Sequence, residues 1–464
     1  AIIGAGPAGM SAAITASQAG VSVVVLDDKP RSGGQIYRNV DASPLPDAEV
    51  LGPDYTKGAE LTTRFRRCNA HHIRGVTVWH VGDNGEILFS DNGTTKRLTA
   101  RQIIVATGAM ERPFPIPGWH LPGVMSAGSA QVMLKSDGLV RDEAIFAGTG
   151  PLLYLIVAQY LRLGVKVKAL IDTTPKQNYL HSMTELTGAM RAPGMLIKGV
   201  GLLNEIRKSG TKIVSFAEDL KILGEEQAEG LSYPRAGKEY SLPASHIFLH
   251  QGVIPNLNMT QALGLEHDWC KQQLCWKPKL NRWGQSSKSH IAVAGDSGGI
   301  IGADSAAAMG RIVALNQLVN LGVISALEVE SEAADDLTFV ASQQRFRRFI
   351  DCLYRPLDQQ RIPENPGTVV CRCEERTVAD LKKGFELGGR EPNQLKSQTR
   401  CGMGPCQGRM CGHTVSELLA HWRNQSVADV GYYRLRSPMR LVTLAELSQF
   451  TDVTPKANKT EEVN

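Results

Sequence analysis

The sequence predicts an α/β fold: two Rossmann-like dinucleotide-binding domains, the second inserted in the first, followed by a small helical carboxy-terminal domain. Three observations predict it. The chain opens on a glycine-patterned strand, turn and helix, "AIIGAGPAGM"; a second such unit begins near residue 142; and five of the nine cysteines crowd between 371 and 411.

The first unit reads strand ("AII"), turn ("GAGPAGM"), alanine-rich amphipathic helix ("SAAITASQAG") and strand ("VSVVVLD"). Gly4, Gly6 and Gly9 keep the G-x-G-x-x-G spacing, with Pro7 and Ala8 inside the same turn. Gly4 permits the tight turn, Gly6 lets a pyrophosphate approach the backbone, and Gly9 lets the helix pack closely on the strand. The helix amino terminus attracts the anion. Asp27 ends the second strand and is placed to accept hydrogen bonds from a ribose.

The second unit is "DEAIFAGTGPLLYLIVAQYLRLGVKVKALID". Gly148 and Gly150 repeat the first two glycines and Asp172 repeats the strand-ending acid, but Leu153 replaces the third glycine. Leu153 is expected to hold the helix further from the strand, which leaves occupancy of this unit open. A dinucleotide bound there would be NAD rather than NADP, because a carboxylate repels a 2′-phosphate.

Two later stretches return to the first unit: "RQIIVATGA", a buried strand ending at Thr107 and Gly108, and "SHIAVAGDSGGIIGADSAAAMG", a strand followed by Gly295, Asp296 and a small-residue helix. The expected domains are therefore residues 1–115 with 285–330, an inserted domain 116–284, a helical linker 331–366, a cysteine domain 367–430 and a tail 431–464.

Composition excludes several classes. Fifty-one basic against 46 acidic residues form no basic stripe, so nucleic acid is not an expected partner. The longest apolar run is broken by Arg162, Lys166 and Lys168, so no transmembrane segment is expected. No signal peptide is visible, and because the chain opens inside a strand, a few native residues are expected to precede it. Nine cysteines so unevenly divided do not read as a secreted disulfide framework; the cytoplasm is expected.

The cysteine segment holds Cys371 and Cys373 in "VVCRCEERTVADL", and Cys401, Cys406 and Cys411 in "TRCGMGPCQGRMC". A binuclear iron–sulfur cluster takes four thiolates, two on each iron, which a C-x-C and a C-x4-C pair supply. Glycines 402, 404 and 408 let the backbone bend around inorganic sulfide and donate N–H groups to it. Zinc is the competing reading, but its sites favour C-x2–4-C hooks or histidine. His413, just past the last cysteine, is expected at a helix start on the surface rather than as a ligand. Joining a dinucleotide pocket to such a cluster suggests redox chemistry, and with the flavin that the resemblance below implies, a converter between two-electron and one-electron chemistry.

"GAGPAG", "RSGGQIYR", "ATGAMERP", "HQGVIPN" and "AGDSGGIIGADSA", in that order, resemble flavoproteins with two dinucleotide-binding domains of the glutathione-reductase type. Within that group the chain resembles the larger, or A, subunits of bacterial opine oxidases, D-hydroxyproline dehydrogenases and hydrogen cyanide synthase. The alpha subunits of heteromeric sarcosine oxidase and archaeal proline dehydrogenase are more distant relatives. The resemblance runs over nearly the whole chain. It implies FAD on Gly4, Gly6, Gly9 and Asp27, with Gly33, Gly34 and Gln35 beside the cofactor and Thr107 and Gly108 near it. Asp296 would bond the ribityl chain or a nearby hydroxyl, and Val78 would offer backbone contacts to adenine. Some relatives carry NAD or ATP in this pocket.

The cysteine segment looks like the helical [2Fe-2S] domain related to bacterioferritin-associated ferredoxin. There the "CQGRxC" pair recurs and the position of Cys401 is often not cysteine, which implies Cys371, Cys373, Cys406 and Cys411 as ligands with Cys401 spare. Disulfide reductases of similar architecture carry a redox cysteine pair in one nucleotide domain; here Cys68 stands alone, and Cys270 and Cys275 read as packing residues.

The resemblance further implies a separate FAD-containing catalytic beta subunit that oxidises the C–N bond of an opine, imino acid or related amine, in some members with an FMN at the subunit interface. Electrons would then pass to a respiratory acceptor, with the complex peripheral at the inner membrane. A stand-alone NADH-dependent flavin and iron–sulfur reductase is the first alternative, and a redox-sensing or scaffolding role the second.

Overall fold

The first sheet is built around the amino-terminal strand. In the computed structural model, which describes residues 1–190, 192–235, 237–448 and 451–452, β1 (Ile2–Ile3) lies between β2 (Val24–Asp27) and the strand Ile103–Val105. β3 (His71–Arg74) and Ile291–Val293 form the edges, and all five strands are parallel. Parallel strands are covered on both faces, so they read as continuous apolar runs; Ile103, Ile104, Val105, Ile291, Ala292 and Val293 are all buried. On one face α1 (Pro7–Gln18) packs against the helix Ala303–Asn320. The approach is so close that a Cβ on Gly310 would stand 2.1 Å from the carbonyl oxygen of Ala8. On the other face an antiparallel sheet inserts Val78, Ile87, Phe89 and Leu98 into a cluster with Ile3, Leu26 and Ile103.

The second domain repeats this plan, with a parallel sheet in the order Lys212–Ser215, Val167–Asp172, Ala144–Thr149, Ile247–Gln251, Val124–Ser126. The chain leaves and re-enters the first domain through Ala109–Glu111 and Val253–Pro255, which pair with each other. The predicted insertion is therefore present, but its predicted end at 284 is too late. Met259, Leu263 and Leu265 already pack with Ile3, Leu26 and Ile103 in the first domain's core. The return is made at Gly252, with φ +91°, and the strand Val253–Pro255, and the core that the following side chains enter sets the boundary.

The segment predicted as a linker is a brace. Its 20-residue helix, Ala334–Leu353, packs on Ala303–Asn320 of the first domain and on Lys176–Ser182 of the second. Asn178 Nδ2 secures it by donating to the carbonyls of Leu353 and Arg355 at 3.0 and 2.8 Å. Among the described residues no helix is long and apolar enough to cross a membrane.

The cysteine domain is helical, as expected: Val378–Glu386, Pro392–Thr399 and Gly412–Arg423 surround a core of Val370, Leu381, Phe385, Leu395, Val415 and Leu418. Thr377 and Asp380 close a reciprocal capping box at the first of these helices. Val430, Tyr433 and Leu435 belong to the same core, so the domain runs past its predicted end at 430. Of the predicted tail, Thr451–Asp452 pairs with Thr94–Thr99, and residues 449–450 and 453–464 lie outside the described residues.

Trp119 of the second domain anchors the cysteine domain: its Nε1–H donates to Val369 O at 2.6 Å, and the Arg372 guanidinium sits 5.2 Å from its ring centre. Trp119→Phe keeps an apolar ring but strands a buried carbonyl, a loss of about 1–3 kcal/mol. The expected result is faster proteolytic clipping between the nucleotide domains and the cysteine domain, with an unchanged flavin spectrum.

Candidate functional site

The amino-terminal turn forms a cradle of bare backbone. Gly4 adopts φ +108°, where a Cβ would stand 2.4 Å from Ala106 O, and a Cβ on Gly9 would fall 1.8 Å from Gly4 O. Only glycine lets the helix start this close to the strand. Gly6 and Gly34 pass each other so tightly that a Cβ on Gly34 would lie 2.9 Å from the Gly6 Cα, while Gly33 N–H donates to Ala5 O at 2.8 Å. The loop "RSGGQIYR" is thereby stitched to the glycine turn through Gly33 and Gly34. Pro7 opens α1 at a position where its missing N–H costs nothing.

Asp27 is buried at the end of β2. It accepts hydrogen bonds from the backbone N–H groups of Ala5 and Lys29, while burial pushes its carboxyl upward from its ordinary value. Thr107 and Gly108 meet the Gly295 segment: Gly108 N–H donates to Ser297 Oγ at 2.7 Å, and Thr107 Oγ1 lies 3.4 Å from that oxygen. Asp296 accepts from Ile301 N–H at 2.9 Å and Gly302 N–H at 3.2 Å, and its carboxyl is likewise raised by burial. The structure thus brings together Gly4, Gly6, Gly33 and Gly34 on one side, and Thr107, Gly108, Gly295 and Asp296 on the other. Val78 sits apart: its side chain is in the apolar core and its strand pairs with Phe89. Its link to the site runs through Val76 N–H, which donates to Asp27 O at 3.0 Å.

Two residues escaped the sequence reading. Ser297 lies inside the quoted "AGDSGG" stretch, but only its bond to Gly108 reveals its task. Lys135, from the helix Ala127–Asp137, is 2 % exposed and donates to Ile36 O at 2.8 Å, holding the Gln35 loop from below. Burial lowers its ammonium pKa to about 7. Nothing in its local sequence signals this.

The second unit has the same turn with a different filling. Gly148 lies so close to the neighbouring strand that a Cβ would be 1.6 Å from His250 O, but here the strand carries an imidazole where the first unit has Ala106. His250 Nε2 would lie 3.0 Å from a Cβ on Gly150, and Nδ1 is 2.6 Å from Glu111 Oε1. Leu153 is fully buried. Asp172 accepts from Thr174 N–H at 2.8 Å and from the Tyr154 hydroxyl, and the Tyr354 ring stands 6.0 Å from that of Tyr154. Asp172 shares with Asp27 a backbone N–H donor two residues on, and differs from it in having the Tyr154 hydroxyl as a side-chain partner.

The five cysteines converge as one group with a buried and an open end. The sulfurs of Cys371, Cys401 and Cys411 lie within 4.8 Å of one another and all three residues are buried. Thiols of Cys401 and Cys411 and the backbone N–H groups of Gly402 and Glu374 donate to Cys371, pulling its pKa down to about 2. Exposed Cys373 lies against half-buried Cys406, which hydrogen-bonds to it through backbone and side chain. Cys401, the predicted spare, stands among the buried sulfurs. A thiol set this dense, with N–H donors aimed at sulfur, fits a thiolate-bound metal group.

His413 corrects its predicted place on the surface. It is 3 % exposed, and Nε2 accepts from Trp276 N–H at 3.3 Å; burial drops its pKa to about 3, so the ring stays neutral. Cys275 lies opposite Cys270 in the hairpin Cys270–Cys275, and burial pushes its thiol up to about 12, the behaviour of a packing residue.

An open glycine cradle with a strand-ending acid, on two nested parallel-sheet domains, defines a dinucleotide-binding oxidoreductase of the two-domain flavoprotein class. Residues 1–310 match the pyridine nucleotide-disulphide oxidoreductase family, and residues 367–449 match the sarcosine oxidase A3 domain. The opine oxidase A subunit of Rhizobium meliloti is 43 % identical over 97 % of this chain and 86 % of its own length. Hydrogen cyanide synthase subunit HcnB of Pseudomonas aeruginosa is 31 % identical over 94 % of this chain and 96 % of its own. L-Proline dehydrogenase from P. horikoshii superposes with a TM-score of 0.69 at 17 % identity, over 96 % of this chain and 78 % of that one, a likeness of fold. The chain belongs to the pyridine nucleotide-disulphide oxidoreductase family, as a relative of HcnB and of the opine oxidase A subunit. It is an oxidoreductase subunit, and the family implies FAD.

Proposed function

We propose that this chain is the electron-transfer subunit of a heteromeric dehydrogenase or oxidase acting on the C–N bond of an opine, a proline- or hydroxyproline-like imino acid or a related amine. From a catalytic, FAD-containing partner subunit it receives electrons, which it passes towards a respiratory acceptor. The observation that carries the reading is the five-thiol group of Cys371, Cys373, Cys401, Cys406 and Cys411, on the same chain as the glycine cradle. The relatives' names as subunits of opine oxidase and hydrogen cyanide synthase support a partner and a nitrogen-bearing substrate.

In this reading Gly4, Gly6 and Gly34 keep side chains away from the FAD pyrophosphate and the start of α1 attracts it. Asp27 holds the ribose, and Asp296 and Ser297 fix the segment beside Thr107 and Gly108. Cys371, Cys373, Cys406 and Cys411 hold a [2Fe-2S] cluster, with Cys401 beside the buried pair. When bound, a flavin exchanges electrons in pairs or singly and the cluster singly, so together they split electron pairs.

The test is visible absorption, iron and acid-labile sulfide assays and low-temperature EPR on the anaerobically purified chain, before and after dithionite. About two irons and two sulfides with a rhombic signal on reduction are expected; zinc without such a signal would end the relay reading. The engagement of Asp172 by the Tyr154 hydroxyl counts against a stand-alone NADH reductase. NADH is accordingly expected not to bleach the flavin of the isolated chain, and full bleaching within seconds would revive that alternative.

A further inference from the structure

No sequence signal marks Tyr433, which follows the predicted end of the cysteine domain. It is 1 % exposed, and its ring is wedged against two glycines of the cysteine segment. A Cβ on Gly402 would stand 2.8 Å from Tyr433 Cζ, and one on Gly408 2.9 Å from its Cδ2. These glycines, expected to bend the chain and to offer N–H groups to sulfide, also leave room for a tyrosine. The neighbouring Tyr432 meets Tyr433 edge-on at 5.8 Å and crowds Gly412 in the same way, a Cβ there lying 2.2 Å from Tyr432 Oη. The Tyr433 hydroxyl reaches the buried sulfurs: it is 3.1 Å from Cys401 O, to which it donates, 3.6 Å from Cys401 Sγ and 3.9 Å from Cys411 Sγ.

We propose that Tyr433 tunes the reduction potential of the iron–sulfur group by presenting its hydroxyl proton to the buried sulfurs. The proposal rests on the reading that these cysteines hold such a group. Hydrogen bonds to cluster sulfurs are among the factors that set the potential. Each electron added raises the negative charge on sulfur, and a bond from a donor to an ionised acceptor is stronger than one to a neutral acceptor. A fixed O–H donor therefore favours the reduced form. Cys373 is exposed and Cys406 half-buried, so water supplies donors at that end. At the Cys401 and Cys411 end both residues are 0 % exposed, so solvent cannot replace the hydroxyl. A neutral thiol is a weak acceptor, which is why the Cys401 carbonyl holds the proton in the structure; thiolate sulfur competes for it.

The experiment is an EPR-monitored redox titration of the full chain and of Tyr433→Phe, with iron, sulfide and flavin content measured on the same samples. The phenyl ring keeps its place between Gly402 and Gly408, so cofactor content is expected to stay the same. The ratio of reduced to oxidised cluster at a fixed potential is expected to fall about tenfold, because the lost bond is stronger to the more negative reduced cluster than to the oxidised one, which is a downward shift of about 59 mV for one electron. Should Tyr433→Phe fail to fold, fluorotyrosine at 433 supplies a stronger donor of nearly the same shape and is expected to move the midpoint upward. An intact cluster whose midpoint does not respond overturns the tuning role and leaves the electron-transfer reading standing. Absence of iron and sulfide from the native chain overturns both.

Discussion

Cys411→Ser is expected to strip the chain of iron and acid-labile sulfide, from about two of each to less than a tenth of that, while the flavin absorption persists. Cys411 is fully buried and caps the start of the helix Gly412–Arg423, its sulfur within 4.8 Å of those of Cys371 and Cys401. A serine hydroxyl fits the space but stays protonated at neutral pH and is a harder ligand than the sulfur that such clusters select. The flavin cradle lies on another domain, so its occupancy reads out folding independently. The matched variant is Cys401→Ser. With Cys371, Cys373, Cys406 and Cys411 as ligands it keeps its iron. Iron lost from Cys401→Ser and retained by Cys373→Ser would reassign the set, because Cys401 is the thiol the structure places nearest the buried pair Cys371 and Cys411.

Gly9→Val is expected to abolish flavin binding and to destabilise the first domain by more than about 4 kcal/mol, the range reached by overpacking with no way to relax. The obstacle is backbone against backbone: the added Cβ would lie 1.8 Å from Gly4 O, between the first strand and the helix that packs on it. No rotamer removes that clash. Gly20→Ala serves as control, since Gly20 has φ +76° and nothing within 4 Å of its Cβ position; it should cost only about 1–2 kcal/mol of left-handed strain. Urea unfolding and flavin content of the two variants make the comparison. A flavin-loaded Gly9→Val as stable as the parent chain would refute the account of the turn.

Much of the site was legible because its requirements are local. Gly4, Gly6 and Gly9 must recur at fixed spacing wherever a strand turns into a helix beneath a pyrophosphate, and an acid must end the next strand, so a short stretch carries the pattern. The same holds for C-x-C and "CQGRMC", whose spacing is the kind that binding a shared metal group would impose. What escaped the reading depends on meetings between distant segments. Ser297 bonds Gly108, Lys135 rises under Ile36, and Trp276 caps His413. The end of the inserted domain was misplaced for the same reason, since Met259 and Leu265 look like any apolar residues until one knows which core they enter. Gly402 and Gly408 were read as glycines that bend the chain and offer N–H groups, and what the sequence does not show is that their tightest neighbour is the Tyr433 ring, beyond the predicted end of the domain.

The sequence alone determined the nested pair of parallel-sheet domains and the first glycine turn, because each follows from periodicity or spacing within a few dozen residues, and its ordered motifs carried the resemblance to the family and to a helical cysteine domain. Only the tertiary structure decided that the second unit's acid has the Tyr154 hydroxyl as a partner, that His250 occupies the place of Ala106, and that Cys401 lies among the buried sulfurs beneath Tyr433. Those are facts about burial and hydrogen-bond partners. A side chain's partners across the fold are chosen by packing among segments far apart in the chain, and no local pattern records that choice.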